Sequence, residues 1–182
     1  MGLDLEGSAR RCGALRWAEL RLFEILGSWV ASTPEPEAKL MLDRHSQHHA
    51  WRANQWWDRL PVLAGADRDS LAVPPSPAAD SAAGALSDLD GTVARLAGAY
   101  RVALPRLAGA YEELLVLADP VSDGSTVRTL GLVRGDLDAD WREGELCLQR
   151  LLVSTPAVEV AAATVARLEG LLAGGADQRR RD

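Results

Sequence analysis

The 182-residue sequence predicts an all-α protein, and three observations support that prediction. Alanine, leucine, arginine and glutamate, which all favour helices, dominate the composition. Apolar residues recur at intervals of three and four rather than two, which is the spacing of one face of a helix. The segments with this spacing end at stretches rich in proline, glycine and aspartate. At this length we expect a single helical domain over residues 1–182.

The first two predicted helices form an antiparallel hairpin. The first helix covers about residues 8–30 and ends at the segment ASTPEPE. Thr33 can cap the second helix, with Pro34 in its first turn. The second helix stops at Leu60 because Pro61 follows it. Since the connector is short, the two helices must lie side by side and run in opposite directions.

A long crossover separates this hairpin from a second one. The segment VLAGADRDSLAVPPSPAADSAAG has no clear periodicity, and unstructured connections of this length usually have a topological or functional reason. A third helix is predicted at about residues 85–118, bent at Pro105, and a fourth runs to about Val153. Pro156 opens a C-terminal helix that ends at about Leu172. This connectivity is that of an up-down four-helix bundle whose second and third helices are parallel.

Charge and cysteine content limit what the protein can bind. Twenty-six acidic and twenty basic residues give a formal net charge of −6, so we expect no general attraction to nucleic acid or anionic membranes. Cys12 and Cys147 form no CxxC pair, which argues against a disulfide framework or a zinc site. No segment has the roughly 18 apolar residues that a membrane span needs. With no apolar signal sequence at the N-terminus, a soluble cytoplasmic protein is expected.

Several ionisable side chains fall within the predicted apolar stripes when each residue turns the helix by about 100°. Glu19 lies on the stripe of the first helix. His45 and His49 lie four residues apart on the stripe of the second helix, and His48 lies on its flank. On the third and fourth helices the polar side chains predicted to point inward are Tyr100, Tyr111, Arg134, Asp138 and Glu145. Those predicted to face away on the fourth helix are Asp136, Asp140 and Glu143.

The helix order and loop lengths resemble those of the ferritin-like superfamily over about residues 8–153. Members that bind two metal ions use a Glu on the first helix, Glu-x-x-His on the second, a Glu on the third and Glu-x-x-His on the fourth. By this resemblance Glu19 matches the first carboxylate, and His45 or His49 matches the imidazole of the second helix. The resemblance implies a polar site between the helices.

The chain departs from the metal-binding pattern of that superfamily. Leu42 and Ser46 stand where the second helix needs its glutamate, and Trp141 stands where the fourth needs its histidine. Arg134 also brings a permanent positive charge towards the site. Two interpretations remain open: one divalent ion, iron or manganese, or no metal and a buried network of paired charges, which these departures favour. The candidate ligands of a single ion are Glu19, His49 and Glu145.

Tryptophans complete the predicted pocket. Trp29, Trp56 and Trp141 are predicted to face inward, where they can form the wall of an apolar ligand site or pack in the core. The candidate catalytic residues are His45, His49 and Glu19. The other predicted pocket residues are Arg134, Asp138, Glu145, Tyr100, Tyr111, Trp56 and Trp141.

Two classes of function fit this pattern. The first is a ferritin-like oxidoreductase, or a metal-free relative, that acts on a small, partly apolar molecule with His45 or His49 as proton carrier. The second is a ligand-binding or dimerising bundle whose inner charges only specify packing, with Trp51 and Trp57 at a homodimer interface. No phosphate-binding glycine loop or G-x-S-x-G elbow is present, and the sequence names neither substrate nor reaction.

Overall fold

The computed structural model describes residues 3–62 and 67–178, and all regular structure in these ranges is helical, which confirms the predicted all-α class. A short 3-10 turn lies at Asp69–Leu71 and a π-helical turn at Ala99–Ala103. No helix in the described ranges is both long and apolar enough to cross a membrane. The α-helices are α1 (Leu5–Trp29), α2 (Pro36–Trp57), α3 (Pro77–Ser87), α4 (Thr92–Gly98), α5 (Leu104–Leu117), α6 (Gly124–Leu151) and α7 (Thr155–Gln178).

Contacts between α1 and α2 show that these helices run in opposite directions. The Ser46 hydroxyl donates to the Phe23 carbonyl at 2.8 Å. Arg16, earlier in α1, donates to the carbonyl of Ala53, later in α2, at 3.2 Å. The connector between the helices differs from the prediction in one respect, because the Thr33 hydroxyl donates to the Trp29 carbonyl and does not cap α2.

The long segment from α4 through α5 runs in the same direction as α2. Near the starts of the two segments, the Thr92 hydroxyl donates to Glu35 at 2.5 Å. Near their ends, the Trp56 indole donates to the Tyr111 hydroxyl at 3.3 Å. The crossover between α2 and α4 therefore returns the chain to the end of the bundle at which α2 began.

α6 runs opposite to the α4–α5 segment. Arg101 pairs with Glu145 at 2.7 Å, and Glu112, later in the segment, pairs with Arg134, earlier in α6. Buried side chains of α1, α2, α4, α5 and α6 share one apolar core. α7 packs against α3 and α4 at one side of this core, where its Leu168 is 2% exposed.

The crossover is partly helical, which the sequence pattern missed. α3 begins after Ser76, whose hydroxyl caps its first turn, and Pro77 occupies the first helical position. α3 ends at Ser87, and the chain turns at Gly91 with φ of 78°, a conformation that favours glycine. The predicted start of the third helix is therefore too early, since α4 begins at Thr92.

Near Pro105, where a bend was predicted, the helix contains a π-helical turn, which is wider than an α-helical turn. Pro105 has no N–H to donate to the carbonyl of Arg101, and its ring crowds that carbonyl. The π-helical turn at Ala99–Ala103 lies directly before it and accommodates the missing hydrogen bond. Tyr100 lies in this turn and is fully buried.

Gly144 of α6 allows α4 and α6 to approach each other at Tyr100. A Cβ at this position would overlap the Tyr100 ring, which cannot move away because it is fully buried. We expect Gly144→Ala to lower the free energy of unfolding by about 1–3 kcal/mol, which is typical of overpacked cores. Chemical denaturation measures this effect. The matched control is Gly109→Ala, where the new Cβ meets nothing within 4 Å and the helix gains up to about 1 kcal/mol. Equal stability of Gly144→Ala and the wild type would contradict the packing described here.

Candidate functional site

A group of charged and polar side chains lies in the core that α1, α2, α4, α5 and α6 share. Glu19 of α1, His49 and Arg52 of α2, and Tyr111 of α5 have no exposed surface, and Asp140 of α6 is 3% exposed. Charged side chains are almost never fully buried unless they are paired. We call these five residues the buried cluster.

Arg52 is the cation at the centre of the buried cluster. Its Nε lies 3.2 Å from Glu19 Oε1, and its Nη1 lies 2.9 Å from Asp140 Oδ2 and also donates to Asp136. Burial alone lowers the pKa of Arg52, but the charges of Glu19 and Asp140 outweigh burial and raise this pKa above its ordinary value. The guanidinium is therefore permanently charged and joins α1, α2 and α6.

Glu19 accepts hydrogen bonds from several sides. The Tyr111 hydroxyl donates to Oε1, and His49 Nδ1 lies 2.5 Å from Oε2. Burial raises the pKa of Tyr111 well above its ordinary value, and the charge of Glu19 raises it further. The phenol therefore stays protonated and acts as a donor. With Arg52, these contacts satisfy both carboxylate oxygens of Glu19.

His49 has one ring nitrogen without a partner. A carboxylate only accepts and a guanidinium only donates, so Glu19 at 2.5 Å and Arg52 Nη2 at 3.0 Å favour opposite roles for His49 Nδ1. The shorter contact, with Glu19, is satisfied when the proton is on Nδ1. In this tautomer the other nitrogen, Nε2, is a free acceptor. Nε2 is buried and has no hydrogen-bond partner among the residues that the structure describes. An unpartnered polar atom in a core marks a place where a small ligand, a water molecule or a proton can be bound.

Two further histidines connect the buried cluster to the surface. His45 Nδ1 lies 2.8 Å from the Tyr100 hydroxyl, and His45 Nε2 lies 3.2 Å from Glu143, whose side chain is 50% exposed. His48 Nδ1 lies 2.8 Å from Asp140 Oδ1, and the His48 side chain is 37% exposed. His45 Nε2 is also 3.4 Å from Asp140. A continuous series of polar contacts therefore extends from Glu143 to the buried cluster.

Acid is expected to weaken the fold through His45. Burial lowers the pKa of His45 below its ordinary value, although the charges of Asp140 and Glu143 partly oppose this effect. The unfolded chain protonates this histidine near pH 6.5, whereas the folded chain does so only at lower pH. Between the pKa of the unfolded chain and the lower pKa of the folded chain, the unfolded state binds more protons than the folded state. The folded state therefore loses stability as the pH falls from about 6.5 through the pKa of His45 in the fold.

Urea unfolding between neutral and mildly acidic pH tests this expectation. His45→Gln should make the free energy of unfolding less dependent on pH than in the wild type, since the variant has no proton to bind at this position. His48→Gln changes a half-exposed neighbour on the same helix and serves as the control. An equally steep loss of stability in His45→Gln and in the wild type would contradict the expectation.

The predicted pocket residues divide into two groups. The members that are fully buried and linked to one another by hydrogen bonds are Glu19, His45, His49, Tyr100, Tyr111 and Trp56. Trp29 is also in the core, and its indole donates to the Ser87 carbonyl at 3.5 Å. The members that lie outside the buried cluster are Arg134, Asp138, Glu145 and Trp141.

The predicted inward positions of Arg134, Asp138 and Trp141 are wrong. Arg134 is 41% exposed, Asp138 is 48% exposed and Trp141 is 38% exposed. The buried face of α6 is rotated by roughly 50° from the predicted stripe, and Asp140 and Gly144 lie on it. The predicted stripe omitted Thr126, Thr129, Val133 and Cys147, which are buried and lie on the side of α6 towards Asp140. The predicted outward position of Asp140 is wrong for the same reason.

Arg52 and Asp140 balance each other's charge in the buried cluster, and neither was predicted to face inward. Arg52 lies three residues after His49 and seven after His45, which places all three on one face of α2. That spacing was the available signal for Arg52. Asp136 and Asp140 are four residues apart on α6, and both accept hydrogen bonds from Arg52.

The residues around Glu19 and His49 do not fit a divalent metal ion. Arg52 places a permanent positive charge against Glu19, which opposes a dication there. The third predicted ligand, Glu145, instead forms a pair with Arg101. His48, Asp136 and Asp140 have ligand atoms within 4.8 Å of one another, yet Arg52 already donates to both aspartates. The guanidinium takes the place that a cation would need.

A groove of about 680 Å³ lies between α5 and α6. Arg134, Asp138 and Trp141 line it, together with Tyr111 from the buried cluster. Its α6 side also includes Gly131 and Gly135, where an added Cβ would meet nothing within 4 Å. Tyr111 therefore connects this groove to Glu19, since its hydroxyl donates to that carboxylate.

The predicted dimer interface is partly covered within the chain. Trp57 is in contact with Arg16 and Arg68, whose guanidinium carbons lie 4.4 and 4.6 Å from the centre of its ring. Trp51 remains 43% exposed.

The site as a whole can hold a proton on His49 and transfer it under the control of Glu19. A histidine whose Nδ1–H is fixed by a carboxylate presents Nε2 as a base, and the carboxylate stabilises the imidazolium that forms. The neighbouring Arg52 donates to Glu19 and holds its carboxylate in position. No protein-family model, curated protein or solved structure matches the chain.

Proposed function

We propose that the protein is a metal-independent enzyme with a ferritin-like four-helix arrangement, and that it abstracts a proton from a small, partly apolar molecule. The observation that carries this proposal is the unpartnered Nε2 of His49, buried beside the carboxylate that fixes the ring. His49 is the proposed catalytic base, and Glu19 is the residue that positions it.

The helix directions support the ferritin-like part of this proposal. α1 and α2 form an antiparallel hairpin, the α4–α5 segment is parallel to α2, and α6 returns antiparallel to that segment. All four segments supply residues of the buried cluster, and bundles commonly place their polar sites between facing helices in this way. The presence of Arg52 supports the metal-independent part.

The groove between α5 and α6 is the proposed substrate site. It combines an aromatic and aliphatic wall, including Trp141 and Leu137, with the charged side chains of Arg134 and Asp138. Ligand pockets are typically apolar with a few polar groups that orient the ligand. Tyr111 lines this groove and donates to Glu19, which in turn holds His49, so the groove adjoins the proposed base. His49 itself does not line the groove and its Nε2 is buried, so proton transfer from a bound molecule requires the packing around Tyr111 to open.

Nuclear magnetic resonance of the histidine ring nitrogens tests the proposed base. We expect the His49 ring to carry a proton on Nδ1 and a lone pair on Nε2, because Glu19 accepts the hydrogen bond from Nδ1. The signals are assigned with His45→Gln, His48→Gln and His49→Gln. A His49 ring that carries its proton on Nε2 would have no lone pair to offer there, and the proposed base would be lost.

A probe reaction tests the proton transfer itself. In 5-nitrobenzisoxazole, removal of the ring C–H proton by His49 Nε2 is accompanied by cleavage of the N–O bond, which releases a coloured cyanophenolate. We expect turnover above the buffer rate in the wild type and in His48→Gln, and a loss of about 10²-fold or more in His49→Gln. Equal rates in His49→Gln and the wild type would contradict the assignment of His49.

A second candidate function is a non-catalytic bundle whose charges only specify packing. The observation that favours it is the full pairing of Glu19, Arg52 and Asp140 with one another. Under this alternative the wild type does not turn over the probe above the buffer rate. His49→Leu destabilises the fold under either candidate, since it removes the hydrogen bond to buried Glu19. The probe reaction therefore separates the two candidates.

A further inference from the structure

A second groove, of about 670 Å³, lies on the side of α1 that faces α3, α5 and α7. It shares no lining residue with the groove between α5 and α6 over the described parts of the chain. Its floor is formed by buried leucines and an isoleucine of α1 and α5. Its accessible apolar surface comes from more open lining residues, among them Trp17, Ala18, Val73, Ala110 and Leu172. A continuous aliphatic surface of this size can bury a hydrocarbon chain.

Four arginines line the same groove, although the protein as a whole has a net charge of −6. Arg21 is paired with Glu24 at 2.6 Å, and Arg106 is paired with Glu169. Arg10 and Arg11 are exposed and form no ion pair with any residue that the structure describes. One carboxylate, Glu113, also lines the groove. The groove therefore combines an aliphatic surface with two adjacent, uncompensated guanidinium groups at the start of α1.

We propose that this groove binds a single-chain amphiphile with an anionic head group, such as a fatty acid. The hydrocarbon chain lies over the accessible apolar residues that line the groove, and the carboxylate accepts hydrogen bonds from Arg10 and Arg11. Arginine is well suited to this task because its planar guanidinium matches a carboxylate in two parallel hydrogen bonds. The inference is independent of the proposed proton transfer, since the two grooves have no lining residue in common.

Charge disfavours a second copy of the chain as the occupant. A two-fold symmetric contact places the same patch of both subunits against itself. It would bring Arg10 and Arg11 of both copies to one interface, and like charges across an interface are unfavourable. An anionic amphiphile, by contrast, satisfies the aliphatic and the basic parts of the groove together.

Quenching of Trp17 fluorescence by a dibrominated fatty acid tests this proposal, because Trp17 lines the groove. We expect saturable quenching below the micelle concentration, most of which is lost in Trp17→Phe. The double variant Arg10→Ala, Arg11→Ala should bind about tenfold more weakly or worse, since it removes both charge-assisted contacts. The matched control is Arg128→Ala, an exposed arginine of α6 that lines neither groove. Both variants change only exposed side chains, and circular dichroism verifies their folding.

Displacement of the bound probe distinguishes the role of the head group. A fatty acid of equal chain length should displace the probe at lower concentration than the corresponding alcohol or alkyltrimethylammonium. Equal displacement by the three compounds would overturn the proposal, as would unsaturable quenching or unchanged affinity of the double arginine variant. Sedimentation analysis tests the alternative occupant. Ala14→Trp fills part of the groove. A wild-type dimer that dissociates in this variant would show that a second copy of the chain occupies the groove, and would overturn the proposal.

Discussion

Arg52→Leu is expected to lower the free energy of unfolding by about 3–5 kcal/mol, because it leaves buried carboxylates without their cation. Arg52 and Glu19 have no exposed side-chain surface, and the Asp140 side chain is 4% exposed. Neither carboxylate can regain water without opening the bundle, so each must take up a proton or remain uncompensated. Denaturant unfolding of the wild type and the variant at neutral pH measures the difference.

The matched control for this prediction is Arg134→Leu. Arg134 pairs with Glu112, and both side chains are largely in solvent, at 41% and 53% exposure. Exposed ion pairs contribute about 0–1 kcal/mol, so this variant should remain close to the wild type. A loss of stability in Arg134→Leu that equals the loss in Arg52→Leu would mean that Arg52 is not the cation on which the core depends.

Arg52→Ala is expected to give the protein a divalent metal site that the wild type lacks. The substitution removes the positive charge that lies against Glu19, Asp136 and Asp140. It leaves the ligand atoms of His48, Asp136 and Asp140 within 4.8 Å of one another, with an excess of negative charge. Zinc or manganese should then stabilise the variant, by about 2.7 kcal/mol at a hundredfold excess over the dissociation constant.

Thermal melts with and without zinc or manganese measure this gain. The wild type should melt at the same temperature with metal and with chelator. The control is Arg52→Ala combined with Asp140→Asn, which removes a carboxylate that lies within reach of both His48 and Arg52. An increase in the wild-type melting temperature as large as that of Arg52→Ala would contradict the conclusion that the guanidinium takes the place of a metal ion.

The helical architecture was largely predictable from the sequence, because apolar spacing and prolines determine where long helices begin and end. α1, α2 and α6 follow the predicted segments within a few residues. α3 was missed because its short alanine-rich sequence has little apolar periodicity, and only the Ser76–Pro77 pair indicated its start. The turn at Gly91 was missed because the apolar spacing resumes directly after it.

The composition of the site was only partly predictable. Glu19, His45 and His49 are single polar residues within strongly apolar stripes, so their burial could be inferred from helical spacing alone. Arg52 shares a helix face with His45 and His49, but this spacing does not show that its long side chain is buried. Asp140 lies outside the predicted stripe of α6. The burial of Arg52 and Asp140 depends on pairing between α2 and α6, which is a property of tertiary packing.

The most direct test of the central claim is the energetic coupling between Glu19 and Arg52. A double-mutant cycle of Glu19→Leu, Arg52→Leu and the combined variant, measured by denaturant unfolding, isolates their interaction from effects that each residue has alone. Because both side chains are fully buried and in contact, we expect a coupling of about 2 kcal/mol or more. A coupling below about 0.5 kcal/mol would show that the two residues act independently, and a core organised around the Arg52 guanidinium would be contradicted.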